Sequence, residues 1–370
     1  MGESVKNQYE PNYAILPGEV LNDELSMRDM SQQELSKRTG LSPKHIVSII
    51  KGKSPITPET AIKLERAIGM PANYWLNLES NYQEIKARLD EGKRLESDLN
   101  WLKRIPVNEM VKLDWIKRYK DKKEQLKEVL QFFGIASVEQ WGDMWPRLSV
   151  AYRQSSQSKV LPEAVSAWLR KGELDAASIN CAPYNKQNFR KALDKIRALT
   201  DMPPDEFVPK MQALCSDAGV AVVFVPSLPK TGVSGATRWI HSNKAVIQLS
   251  LRYRSNDHLW FTFFHEAGHI LLHGKKDLFI ERTDKSSNGL DEEKESEANR
   301  FAQNELIPAR AMEKFIQSGG RTKAEIRAFA EQVGIAPGIV VGQLQYRGDL
   351  DFKFCNDLKQ FYKWNHEQSS

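Results

Sequence analysis

Phe261-Thr262-Phe263-Phe264-His265-Glu266-Ala267-Gly268-His269-Ile270-Leu271-Leu272-His273 is the stretch on which the reading of this chain turns. Its apolar residues, with Leu259 and Trp260 before them, predict a buried helix from Asp257 to about Leu272. His265 and His269 are four residues apart, which puts both imidazoles on one helical face, one turn apart. Two imidazoles so placed can reach one tetrahedral ion. Glu266 then stands beside that ion, where it can take a proton from water and return it to a leaving amine.

A third ligand must come from elsewhere. A His-Glu-x-x-His-x-x-Gly-x-x-His run would need Gly at 272 and His at 275, and the chain has Leu272 and Lys275. The next predicted helix, Glu292–Leu306, offers Glu295, with Asn299 one turn on and able to accept a hydrogen bond from a ligand His. Glu297 stands as the alternative ligand. Glu292 and Glu293 read as solvated charges that complement the helix start. His273 lies one further turn beyond His269 and is rotated off its face. It reads as a packing residue, an outer partner of the ligands or an oxyanion donor.

Working outward, the texture is mixed helix and strand. Pro203-Pro204 starts a helix to Ser216, and Val220–Val225 is an apolar, β-branched run that reads as a buried strand. Gly235–His241 and Ala245–Leu251 read as two more strands, turned at Ser242-Asn243. Gly274–Asp291 reads as an 18-residue loop, and helical pieces follow at 322–333 and 337–346. Residues 219–308 resemble the ImmA/IrrE-type metallopeptidases. The resemblance rests on Gly235-Ala236, Ile247-Gln248-Leu249-Ser250-Leu251-Arg252, the His265–His273 run, and Glu295–Ala302 ending in Leu306-Ile307-Pro308. It implies a zinc-dependent, gluzincin-like endopeptidase that cleaves a transcriptional repressor or related regulator, with Glu295 as third ligand. The ending Glu305-Leu306-Ile307-Pro308 departs from the family's leucine-rich one.

The N-terminal segment has a different rhythm, short helices broken by Gly and Pro. Ser31 with Glu34 has capping-box spacing; Ser42-Pro43 and Thr57-Pro58 each pair a cap with a first-turn Pro. Helix 31–38, a turn at Gly40, and helix 42–50 have helix-turn-helix proportions, with Leu35, Leu41, Ile46 and Ile49 as the small core. The second helix would enter a major groove, presenting Lys44, His45 and Ser48 to the bases. Gln32 and Gln33 suit phosphate or adenine edges, and Lys51 and Lys53 suit phosphate. The run Pro17–Leu21, Ser31–Leu35, Gly52-Lys53, Ile56–Ala61 and Trp75–Leu78 resembles HigA-type antitoxins of the XRE repressor class. That implies binding to double-stranded operator DNA as a homodimer, sometimes with a toxin as partner. Pro43 departs from the polar or basic residue usual there, so base readout is not expected at that position.

Composition sets the outer limits. At 41% hydrophobic and 27% charged the 370 residues can bury real cores. Net charge is +5, but unevenly spread: residues 1–100 hold 13 basic and 15 acidic residues, and residues 101–200 hold 19 and 11. The cluster Lys117-Arg118-Tyr119-Lys120, Lys122-Lys123 and Lys127 dominates the middle. It reads first as a solvated helical face, with Asp121, Glu124 and Glu128 in reach of Lys, and second as another nucleic-acid surface. Docking of an acidic regulator or toxin is a third reading. Cys181, Cys215 and Cys355 are far apart, which argues against a disulfide scaffold. No 18-residue apolar run and no apolar N-terminal segment is present, so a cytoplasmic protein without a membrane anchor is expected.

The expected architecture is multidomain: an all-α helix-turn-helix head at 12–92 and a mostly helical, basic middle at 93–200. An α+β zincin-like metallopeptidase domain with a small sheet follows at 201–350, then a tail at 351–370. The expected function is a DNA-binding regulator that carries a zinc endopeptidase. It would cut a repressor, an antitoxin or its own chain in a toxin–antitoxin, stress or phage-related switch. The alternative is an antitoxin-like repressor whose peptidase fold is catalytically silent and senses a signal or partner. A third reading is proteolysis independent of DNA.

Overall fold

The computed structural model describes residues 13–145, 161–274, 279–282, 289–319 and 321–363. The chain divides into two compact units, Met1–Asn100 and Trp101–Ser370.

The first unit is all helix: α1 Pro17–Met27, α2 Gln32–Thr39, α3 Pro43–Ile50, α4 Pro58–Ile68 and α5 Ala72–Asp98. The N-caps read from the sequence are in place, though Ser31 and Glu34 make only half of a capping box, because the Glu34 carboxylate pairs with Arg38 instead. Ser31 accepts from Glu34 N–H at 3.1 Å, Ser42 from His45 N–H at 3.2 Å, and Thr57 from Thr60 N–H at 3.3 Å. Each satisfies an amide that the first helical turn leaves unbonded. Leu21, Leu35, Ile46, Leu64 and Trp75 are fully buried in one core. Leu41 is only partly buried against it. α5 runs past the expected end near Leu89, to Asp98.

In the second unit, α6 Val107–Lys112, α7 Lys122–Phe133, α8 Val138–Met144, α9 Pro162–Ala177, α10 Lys186–Arg197 and α11 Pro204–Ser216 precede a sheet. Strands β1 Val220–Phe224, β2 Val233–His241 and β3 Lys244–Leu249 lead into helix α12, Asn256–Leu272. Then come β4 Phe279–Arg282, α13 Gly289–Leu306, α14 Ala309–Gln317, α15 Lys323–Val333 and α16 Pro337–Arg347. The expected loop 274–291 thus contains a strand and the first turn of a helix. Four residues are too few to show a period, which is why β4 escapes a pattern search.

The described strands form a four-stranded sheet in the order β1-β3-β2-β4. β1 runs parallel to β3, while β2 is antiparallel to both β3 and β4. Both faces of β3 are covered. Ile247 and Leu249 join Trp260, Phe263 and Phe264 of α12 in the core. On the other face, Gln248 donates to the Trp168 carbonyl of α9 at 2.7 Å, and Trp168 donates its indole N–H to the Val225 carbonyl at 3.0 Å. A strand buried on both sides reads as a continuous apolar run rather than an alternating one.

The same core draws residues from both sides of position 200, including Phe189, Leu193 and Ile196 of α10 with Phe207 and Met211 of α11. Arg197 donates to the carbonyls of Glu305, Leu306 and Val333, closing the C-terminal end of α13. The last described residues act as a strap. Gln360 and Asn256 exchange hydrogen bonds, Lys359 pairs with Asp257 at 2.6 Å, and Tyr362 N–H reaches the Arg254 carbonyl. The start of α12 is pinned by residues about a hundred positions later in the chain.

Candidate metal centre

His265 and His269 are nearly inaccessible, and their Nε2 atoms face each other at 3.0 Å. Glu295 of α13 completes the group. Its carboxylate oxygens lie 3.1 Å from His265 Nε2 and 3.4 Å from His269 Nε2. One donor atom from each of the three can be chosen so that all lie within 4.8 Å of one another. Gly268 lets α13 come this close: a Cβ there would be 3.0 Å from the Phe301 ring and 3.3 Å from Ala298 Cα.

The outer nitrogens are also engaged. His265 Nδ1 lies 3.0 Å from Asn299 Oδ1, and His269 Nδ1 lies 2.9 Å from His273 Nδ1. His273 Nε2 in turn lies 3.0 Å from Glu297 Oε2. One tautomer assignment satisfies the whole chain. His265 donates from Nδ1 to Asn299, His269 donates from Nδ1 to His273, and His273 donates from Nε2 to Glu297. Both inner Nε2 atoms then carry lone pairs aimed at the Glu295 carboxylate. Burial pushes His269 down to about 4, so its ring is neutral at neutral pH. In the other tautomer, with the proton on Nε2, His265 and His269 donate to Glu295; burial acts to raise that carboxyl, but these hydrogen bonds outweigh it and hold the group at about 2. With the ring protons on the outer nitrogens, two imidazole lone pairs and an ionised carboxylate converge on one point and form an N₂O donor set that fits a zinc ion.

Glu266 is fully buried beside this cluster. Strand β2 presses on it. A Cβ on Gly235 would sit 2.5 Å from Thr262 Cγ2 and 2.7 Å from Glu266 Oε1, and Thr237 Oγ1 donates to the Glu266 carbonyl at 3.1 Å. Motif reading does not place Gly235 or Thr237 in the site. The available signal is a glycine inside a strand, which marks a close approach. On the α13 side, a groove of about 330 Å³ is lined by residues that include Glu292, Glu295, Asn299, Arg300 and Tyr346. Tyr346 is 69% exposed there. Glu297, read as an alternative ligand, instead meets His273, because the chain leaves the helix at Leu272 and His273 takes an extended backbone.

The residues expected to meet DNA fall into two groups. Gln33, Lys44, Lys51 and Lys53 are exposed, while Gln32, His45 and Ser48 are half-buried. Ser48 Oγ lies 2.7 Å from Ser54 Oγ and helps close the turn after α3. Among the described residues, no helix is long and apolar enough to cross a membrane.

A family profile described as helix-turn-helix matches residues 25–75. A second, described as an IrrE N-terminal-like domain, matches residues 215–341. Virulence-associated protein I of Dichelobacter nodosus is 37% identical over 79 residues, which are 21% of this chain and 73% of that protein. The chain is an XRE-type helix-turn-helix regulator with an ImmA/IrrE-type peptidase-family domain. This regulator is also similar to the uncharacterized HTH-type transcriptional regulator YddM of Escherichia coli (strain K12), with 31% identity over 71 residues, 19% of this chain and 76% of that one. Among solved structures, the Pseudomonas aeruginosa antitoxin HigA with higBA promoter shares 32% identity, covering 23% of this chain and 95% of that chain, with a TM-score of 0.22.

Proposed function

We propose that this helix-turn-helix regulator carries a working zinc endopeptidase, and that it cuts a repressor, an antitoxin or its own chain to switch transcription. The convergence of His265, His269 and Glu295 with Glu266 at their side carries the reading. A zinc ion held by those three residues would supply Lewis acidity toward a peptide carbonyl and make water acidic enough to lose a proton near neutral pH. Glu266 is the base that accepts that proton and returns it to the departing amine nitrogen. Asn299 and His273 hold the two imidazoles in the tautomer that leaves Nε2 free to bind. Gly235 leaves the Glu266 carboxylate its room. The groove beside Glu295, with Tyr346 on its wall, is the approach for an extended peptide.

In the head, Gln33, Lys44, Lys51 and Lys53 are the groups we assign to operator DNA, with Gln32, His45 and Ser48 at the edge of that surface. The regulator is expected to act as a homodimer, and a toxin is the partner that its resemblance to antitoxins suggests. Three free cysteines, one of them buried, fit a reducing, cytoplasmic setting.

Metal content, measured together with cleavage of candidate repressors, tests the reading. Glu266→Gln should keep the zinc and lose hydrolysis by at least two orders of magnitude, the usual scale of general-base contributions. Unchanged cleavage by that variant would falsify the assignment. Bound zinc without cleavage in the wild type would point instead to a silent fold used as a sensor.

A further inference from the structure

The basic cluster of the second unit is built differently from a solvated helical face. Residues 117–123 carry five cations (Lys117, Arg118, Lys120, Lys122 and Lys123) against one acid, Asp121. Most of them stand in the loop before α7, not on a helix. The carboxylates expected to neutralise them have other work. Asp121 caps α7, accepting from the N–H of Lys123 at 2.6 Å and of Glu124 at 3.1 Å. Glu128 accepts from the Lys117 backbone N–H at 2.9 Å, and Glu124 pairs with Lys127. Among the described residues, Lys117, Lys120 and Lys122 have no ion-pair partner and are exposed.

The loop is also held rigid. Gln125 is buried, donates to the Lys117 carbonyl at 3.1 Å and accepts from the Tyr119 N–H at 3.0 Å. Arg118 is braced by Asn108 at 3.0 Å. Beneath the loop, Trp115 stacks on Phe132 with rings 5° from parallel. A buried amide spent on fixing the backbone of a surface loop leaves only the side chains to be ordered on binding.

We propose that the loop 117–121, with Lys122 at the start of α7, is a second nucleic-acid surface, which grips the phosphate backbone of duplex DNA without reading sequence. Three spaced ammonium groups, a braced guanidinium and the exposed Tyr119 hydroxyl match a run of phosphates. The choice of DNA over another polyanion leans on the helix-turn-helix head of the same chain, because tethering raises the local concentration of whatever the head holds.

Fluorescence anisotropy of the full chain on duplex DNA of arbitrary sequence, over a salt series, tests this. Lys117→Gln, Lys120→Gln and Lys122→Gln combined should make the slope of log affinity against log salt shallower by about 2.7, at about 0.9 for each phosphate no longer neutralised. The same decrement is expected when Lys44, Lys51 and Lys53 of the head are also changed to Gln, so failure of the head's assignment leaves the loop's contribution measurable. The three Lys→Arg changes together should restore the slope. An unchanged slope in the Gln variant overturns the proposal, as does a wild-type chain that binds no duplex at low salt. Binding of a polyglutamate peptide that depends on the three lysines, with DNA affinity unaltered by them, reassigns the loop to an acidic protein and overturns it too.

Discussion

At Gly235 the space a Cβ would fill is already taken by Thr262 and by the Glu266 carboxylate. Alanine there must displace one of them, and Glu266 is the flexible one. Gly235→Ala is therefore expected to lower peptide cleavage by about ten-fold or more while zinc content stays at one per chain. A scale of about two orders of magnitude for about 1 Å of misplacement sets that expectation. Loss of zinc along with activity would show that the damage had spread to α12 and would remove Gly235 from the group that places the base. His265, Glu266 and His269 were legible because one helical turn fixes their geometry. Glu295 was legible because the chain offers an acidic helix at the right point. The pairing of His273 with Glu297 was not, since it depends on where α12 stops, a boundary that periodicity marks poorly.

Among the elements, the head was the easiest to read, and its N-caps are the reason. Ser42 holds the first turn of α3 by accepting from His45 N–H, at the end where Lys44 and His45 stand. Ser42→Ala is expected to cost about 1 kcal/mol, within the range of cap losses, and to weaken duplex binding without changing the fold. Urea denaturation of the full chain with circular dichroism gives the first number and anisotropy the second. A stability change near zero would mean that α3 is held by Ile46 and Ile49 alone. The middle of the chain was harder. It was legible only as mostly helical, and nothing local says that Trp168 reaches the carbonyl of Val225, or that Phe189 joins the core beneath the sheet. These interactions link residues far apart in sequence, and amphipathic spacing names a buried face without naming its partner.

For the second unit as a whole, Glu173 is a point where several parts meet. Its carboxylate lies 3.0 Å from Arg238 of β2 and 2.9 Å from Arg170 of its own helix. Arg170 donates to the Phe132 carbonyl at the end of α7, and Arg238 lies over the Trp145 ring. Burial acts to raise the Glu173 carboxyl, yet the two guanidiniums outweigh it and hold it below its ordinary 4.5. A depressed carboxyl contributes stability above its unfolded value and loses it as pH falls through the folded one. Glu173→Gln should therefore lower the urea midpoint by a steady amount at neutral pH, with the gap to wild type closing as pH drops below 4.5. A gap that widens on acidification would show that the network has the opposite sign.

The strap across the start of α12 also sets an order of events during synthesis. The head lies within residues 13–98 and can fold while most of the chain is still being made. The start of the helix bearing His265 and His269 acquires these anchors only when Lys359, Gln360 and Tyr362 have emerged from the ribosome. A nascent chain can thus present a finished helix-turn-helix head well before the start of α12 is secured, and a ribosome stalled near residue 350 would display the one without the other.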